Sequence, residues 1–334
     1  MLILGIESSC DETGLALYDS ESGLIGHVLN SQVDLHRLYG GVVPELASRD
    51  HIRFILPLLD ELFNKTNKNV TELDAIAYTK GPGLSGALLV GASVAESLAM
   101  SLDIPTIPIH HLEGHLLSPF LENDQPAFPF LALLVSGGHS QLIHVRELGD
   151  YEIIGDTLDD AAGEAFDKSA QLLGLGYPGG AALSKLASTG SSFYSLPKPL
   201  INSDDLNFSF SGLKTAVLNL VKKEQPLDEI KKANIAYAFQ ESITDVLSTK
   251  CLKALNEKNL SCLVVSGGVG ANRQLRDKLK SLSQKHDFEL FFPSLEFCTD
   301  NGAMIAIAGF FRHQLSQNKN YEFSVKPKWK LTEI

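Results

Sequence analysis

The sequence is short of cysteine and of positive charge, and it has no uninterrupted apolar run long enough to cross a bilayer. Its four cysteines, Cys10, Cys251, Cys262 and Cys298, are scattered without a C-x-x-C pair. That argues against a disulfide framework and a cysteine zinc site, and it fits a reducing cytoplasm. The 28 Lys and Arg against 40 Asp and Glu leave a net charge of −12, so the chain as a whole repels polyanions. A non-specific basic nucleic-acid binder is excluded, and only a local basic patch is compatible with RNA. The richest apolar stretch, 86–102, is interrupted by Glu96 and several small residues, so no transmembrane helix and no membrane association are expected. Residues 1–6 follow no basic segment and lead straight into Glu7, Asp11 and Glu12, which predicts a first strand rather than a leader. The pattern G-x-x-x-x-G-K-[ST] is absent, so a Walker-type phosphate loop is excluded.

A chain of 334 residues is expected to form about two domains, and 44% hydrophobic content is enough to give each a core. Apolar runs of strand length alternate with longer helical patterns from end to end, the mark of an α/β architecture. Strands are predicted at 2–7, 14–18, 25–31, 75–79, 106–109, 130–135, 141–145, 152–156, 263–266 and 290–292. Helices are predicted at 45–64 (kinked at Pro57), 87–101, 163–173, 181–188, 211–223, 230–256, 271–284 and 302–315. Residues 3–19 and 131–147, ILGIESSCDETGLALYD and LALLVSGGHSQLIHVRE, share one plan of strand, small polar turn and strand. Two lobes of one design follow.

Gly137-Gly138 and Gly267-Gly268 each close an apolar strand, and Gly81-Pro82-Gly83-Leu84 stands after a third. At such turns backbone N–H groups can approach an anion, and their recurrence in an α/β chain favours a nucleotide cleft over plain turns. His111 and His115, four apart, project from one face if the segment is helical and can then share one metal ion. Leu112 stands where H-E-x-x-H needs its glutamate, and Glu113 lies toward the far side of the helix, so peptidase chemistry is disfavoured. Asp300 offers a third ligand, although a helix N-cap is its plainer local role. Asp11 and Glu12, at the first hairpin tip, can guide a proton or merely be solvated.

Nine segments in order resemble the TsaD family, also called YgjD or Gcp and related to the Kae proteins. They are Gly5-Ile6-Glu7-Ser8-Ser9-Cys10-Asp11-Glu12-Thr13, Gly81-Pro82-Gly83-Leu84, His110-His111-Leu112-Glu113-Gly114-His115, Leu134-Val135-Ser136-Gly137-Gly138-His139, Gly163-Glu164-Ala165-Phe166-Asp167-Lys168, Gly176-Tyr177-Pro178-Gly179-Gly180, Phe208-Ser209-Phe210-Ser211-Gly212-Leu213-Lys214, Gly267-Gly268-Val269-Gly270-Ala271-Asn272 and Asp300-Asn301-Gly302-Ala303-Met304. The resemblance implies an ASKHA fold of the actin, Hsp70 and sugar-kinase type, with two RNase H-like lobes around a nucleotide cleft. Residues 1–110 are expected to form the first lobe, with 303–334 packing back on it, and 111–302 the second, carrying the metal and nucleotide sites.

The implied activity is transfer of the threonylcarbamoyl group from threonylcarbamoyl-AMP to N6 of the adenosine 3′ to the anticodon, in tRNAs reading codons that begin with A. AMP is released. The resemblance implies a metal held by His111, His115 and Asp300, usually Fe2+ and sometimes Zn2+. It implies a nucleotide set of Leu134, Val135, Ser136, Gly137, Gly138, Asp167, Gly180 and Asn272, with Asp11 and Glu12 as catalytic candidates. Expected partners are tRNA, a TsaB-like paralogue and a TsaE-like ATPase. An ASKHA-type ATPase or kinase and a non-catalytic scaffold are the competing readings; Mg²⁺ held by carboxylates would suit the former, not imidazoles. For RNA contact the candidates are Lys168, Lys198, Lys214, Arg49 and Arg53. Lys326, Lys328 and Lys330 alternate around Trp329 like a solvated edge, the usual state of a charge run, with an RNA contact there as the less favoured reading. Phe208, Phe210 and Leu213 are expected to pack.

Overall fold

Apolar runs bounded by turn formers supply the two central strands, β1 (Leu2–Glu7) and β6 (Phe130–Val135), each buried along its whole length. Strands covered on both faces read as continuous hydrophobic runs, and these two do. The computed structural model describes residues 1–313 and 323–334. β1 pairs antiparallel with β2 (Glu12–Asp19) and parallel with β4 (Ala75–Gly81). β3 (Gly23–Ser31) and β5 (Thr106–His110) complete a sheet of order 3-2-1-4-5. β6 repeats the plan with β7 (Ser140–Glu147), β8 (Asp150–Asp156), β9 (Cys262–Ser266) and β10 (Glu289–Phe291), in the order 8-7-6-9-10. The antiparallel and parallel pairings fall in the same places, so the weak repeat in the sequence is a repeat of topology.

The chain divides into Met1–Gln125 with Thr299–Ile334, and Pro126–Cys298. The expected boundaries stood at 110 and 302, and the division falls at 125 and 298. The first unit carries α1 (Val33–Arg37), α2 (Pro44–Thr66), α3 (Ser85–Leu102), α4 (His111–Leu117) and, from the far end of the chain, α10 (Gly302–His313). The second carries α5 (Ala162–Leu172), α6 (Gly180–Ala187), α7 (Ser211–Lys223), α8 (Glu229–Lys258) and α9 (Arg273–His286). Because α4 leaves β5 without a break and packs on α10, the histidine segment and Asp300 belong with the first sheet. The metal candidates thus lie in the first unit, and the Gly137-Gly138 and Gly267-Gly268 turns in the second. The predicted end of the last helix at Leu315 lies outside the described residues.

α2 runs through Pro57, which sits on its exposed side, where the carbonyl left without a donor faces water. α3 is, among the described residues, the one helix long and apolar enough to cross a membrane. It packs on α2 and β4, burying Ala87, Leu88, Gly91, Ala92, Ala95 and Ala99 with Glu96, whose carboxylate accepts from Thr106 Oγ1. Phe208, Phe210 and Leu213 are buried in the second core, as expected.

α10 is buried all round from Gly302 to Gly309, which its uninterrupted small and apolar sequence permits. Three glycines bring it against the sheet. A Cβ on Gly5 would lie 2.4 Å from the Gly302 carbonyl oxygen, one on Gly14 2.6 Å from the Gly302 nitrogen, and one on Gly302 2.4 Å from the Leu15 carbonyl carbon. The helix start is thereby pressed onto the backbone of β1 and β2.

Candidate active site

His110 ends β5 and caps α4, its Nδ1 accepting from Leu112 N at 3.1 Å, so the helix begins at His111. The two histidines one turn apart then share a face, with ring centroids 4.9 Å apart and planes at 88°. Asp300, delivered by the glycine contact at the start of α10, places Oδ1 3.0 Å from His115 Nε2 and 3.5 Å from His111 Nε2. The ligand atoms of the three residues all lie within 4.8 Å of one another.

Behind His111, Nδ1 faces Ser9 Oγ at 3.1 Å and Glu7 Oε2 at 3.3 Å. Glu7 is fully buried and fixed in turn: Ser9 N donates to Oε1 at 2.6 Å, and the Thr79 hydroxyl to Oε2 at 2.5 Å. An imidazole whose Nδ1–H is directed at a buried carboxylate turns its Nε2 lone pair outward, the arrangement that orients histidine toward a metal. On the opposite side, Glu113 forms a bidentate pair with Arg312 at 2.6 and 3.0 Å, tying α4 to α10 and leaving Glu113 no part in the chemistry.

The charge balance also points to a cation. Burial pushes the His111 imidazolium toward deprotonation, but Asp300 and Glu7 outweigh it and hold its pKa up to about 9. Burial, with Asp300 and Asp11 close by, pushes Glu12 up to about 9, and burial followed by Asp11 and Asp300 raises the Cys10 thiol. Glu7 and Asp300 flank His111, Asp300 also faces His115, and Glu12 and Asp11 lie close to Asp300, a concentration of acidic groups whose repulsion a divalent ion would relieve. Two nitrogens and one oxygen suit iron or zinc.

In the second unit, Leu134 and Val135 are fully buried in β6 and offer only backbone to a ligand. Ser136 Oγ accepts from Gly138 N at 3.3 Å and His139 N at 3.2 Å, shaping a tip on which Gly137 and Gly138 are exposed. Asp167 Oδ1 accepts from Gly179 N at 2.8 Å and Gly180 N at 2.9 Å, which orders the start of α6. Asn272 caps α9 through Oδ1, and its Nδ2 donates to Ser184 Oγ and Gln240 Oε1 at 2.9 and 2.7 Å. Its amide hydrogens are thus committed within the protein.

The Gly81–Gly86 turn departs from the expectation that it could cradle an anion. Gly83 N donates to Pro327 O and Leu84 N to Ser9 O, so these two amides hold residue 327 and the loop after β1. The residues missed in the sequence are Glu7, Ser9, Thr79 and Arg312, which hold the ligands. A carboxylate ending a wholly apolar strand was the one signal available for Glu7, since burying an unpaired charge is costly.

Comparison with known proteins bears on what this site serves. The family model described as TsaD, tRNA N6-adenosine threonylcarbamoyltransferase, matches residues 23–307. The tRNA N6-adenosine threonylcarbamoyltransferase of Methylobacillus flagellatus is 63% identical over all of this chain and 99% of its own length, and that of Herminiimonas arsenicoxydans is 60% identical with the same coverage. Among solved structures, full-length HypF in its phosphate- and nucleotide-bound form superposes with a TM-score of 0.62 at 13% identity over 94% of this chain, which spans 46% of HypF. Component A of (R)-2-hydroxyglutaryl-CoA dehydratase from Acidaminococcus fermentans gives 0.56 at 13% identity, covering 94% of this chain and 99% of that one. These likenesses concern the fold, which is of the ASKHA type; at full-length identities of 60% and above, with a family model over most of the sequence, the chain belongs to the TsaD family of tRNA N6-adenosine threonylcarbamoyltransferases.

Proposed function

We propose that this chain transfers the threonylcarbamoyl group from threonylcarbamoyl-AMP to N6 of the adenosine 3′ to the anticodon of tRNA, at a metal centre formed by His111, His115 and Asp300. The observation that carries the site is the convergence of these three side chains with Glu7 behind His111. Iron is the expected ion and zinc the alternative. When bound, the ion supplies Lewis-acid polarisation and orientation of the acyl-phosphate donor. Glu7 and Ser9 keep the His111 ring turned for ligation. Asp11 and Glu12, close to Asp300, are the candidates for guiding the attacking amine or its proton. Gly137 offers its backbone N–H to the phosphate of the adenylate, and Ser136 and Gly138 shape the tip around it, Ser136 N donating to His139 O and Gly138 N to Ser136 Oγ. Asp167 keeps Oδ2 for ribose hydroxyls, Gly180 leaves room for the adenosine, and Asn272 acts by fixing the start of α9 with one Oδ1 lone pair to spare.

Gly137→Val tests the nucleotide assignment. A Cβ there meets nothing within 4 Å, so the fold is expected to tolerate it while close approach of a phosphate is blocked. Calorimetry with a non-hydrolysable adenylate should show affinity reduced about tenfold or more, near 1.4 kcal/mol. Equal affinity in variant and parent removes the tip from the site.

A TsaB-like paralogue and a TsaE-like ATPase are the expected partners, in a cytoplasmic setting that suits four free thiols. Ile52 and Leu56, one turn apart on α2 and 62% and 60% exposed, supply apolar surface for a like-folded partner. Light scattering of the equimolar mixture should show a heterodimer that Ile52→Glu with Leu56→Glu abolishes. A mixture that stays monomeric with undiminished transfer activity counts against the pairing.

A further inference from the structure

Residues 323–334 return to the first sheet as a strap. Lys326 N donates to Lys80 O at 2.8 Å, and a Cβ on Gly81 would sit 1.9 Å from Lys326 O, so glycine alone lets the strap lie flush on the end of β4. Farther along, His110 Nε2 donates to Trp329 O at 3.1 Å, and the Trp329 ring lies against His110 with centroids 4.8 Å apart. Leu331 is buried beyond it. The strap is therefore latched to the residue that caps the ligand-bearing helix α4.

Its outer side is cationic. Lys326, Lys328 and Lys330 are exposed beside the half-buried Lys80, and none of the four forms an ion pair among the described residues. Burial first, and then Lys326 next to it, lowers the Lys80 pKa against the pull of Glu96, as expected where like charges are held together. The basic residues that the sequence singles out for RNA are mostly neutralised. Lys168 and Lys214 share Asp160, Lys198 pairs with Asp245 and Arg53 with Asp50. In a chain of net charge −12, an uncompensated cationic strap is a local exception. Trp329 is already engaged, between His110 and Lys326 Nζ 4.6 Å from its ring centre, so it anchors the strap rather than stacking a base.

We propose that the strap 326–330, together with Lys80, binds backbone phosphates of the tRNA substrate and holds the RNA beside the helix carrying His111 and His115. This rests on the transfer reaction proposed above. The contact is electrostatic and independent of base identity, because ammonium groups meet phosphates and Trp329 is held against His110 instead of stacking a base.

The test compares the full-length parent with a Lys326→Gln, Lys328→Gln, Lys330→Gln variant. A control, Lys222→Gln, Lys223→Gln, Lys280→Gln, makes the same charge change on exposed lysines of the second unit. Affinity for unmodified tRNA is measured by fluorescence anisotropy from about 50 mM to about 200 mM salt. The strap variant should bind about tenfold more weakly at low salt, with a log–log salt slope smaller by about 2, since each lost phosphate contact removes roughly 0.7 to 0.9. Metal content and adenylate affinity should equal those of the parent. Unchanged affinity and slope in the strap variant, an equal loss in the control, or no tRNA binding by the parent at low salt overturns the proposal. A parent that still modifies tRNA with its partners leaves the transfer reading standing in those cases; a parent that never does so overturns both.

Discussion

Replacing His111 by alanine is expected to lower transfer activity by about 100-fold or more and to strip the bound metal, while the chain still folds. Losing an outer-shell partner of a metal ligand typically costs 10- to 100-fold, and here a ligand itself is removed from a set of three. The fold should survive, because the His111 side chain is 12% exposed and Glu7, which loses its imidazole partner and with it some stability, keeps its bonds from Thr79 and the Ser9 amide. His115 is a less clean probe. Its side chain is only 1% exposed, between α4 and Asp300, so His115→Ala removes a ligand and opens a cavity together. Metal analysis of the purified variant beside a transfer assay reads the result; His111→Ala protein retaining one tight ion and full activity would remove this residue from the centre.

Gly302→Ala should have the largest effect on stability. The added methyl would meet the Leu15 carbonyl carbon at 2.4 Å and its Cα at 2.6 Å, backbone atoms in a buried strand that cannot rotate away. Overpacking of this kind costs about 3 kcal/mol, at the upper end for one inserted carbon. Relief by shifting α10 would also carry Asp300 away from His111 and His115. Both a lower denaturant midpoint and weaker metal retention are therefore expected, although residue 302 touches no ligand. A midpoint within error of the parent would show that the helix start can slide, and the account of how Asp300 is placed would fall.

Some of this was legible in the order of residues. The uninterrupted apolar runs of β1, β6 and β9 mark strands covered on both faces, and the repeated strand–turn–strand plan is the trace of two sheets with matching topology. His111 and His115 lie within one helical turn, so their shared face follows from a local rule. The family segments carried the nucleotide and metal residues by resemblance, and the charge deficit limited RNA contact to a local patch.

What the sequence determined by itself was therefore the set of short-range features: strand and helix positions, turns, the histidine spacing and the α/β class. Each depends on residues a few positions apart, where periodicity and turn chemistry act. Tertiary structure alone decided that Asp300 meets His115 across 185 positions, that Glu7 backs His111 across 104, and that residues 323–334 come to rest on Lys80 and His110. Those contacts depend on which backbones can approach. Glycines at 5, 14 and 302 admit α10 and glycine at 81 admits the strap, a consequence of missing side-chain volume that shows only once two distant segments are packed together.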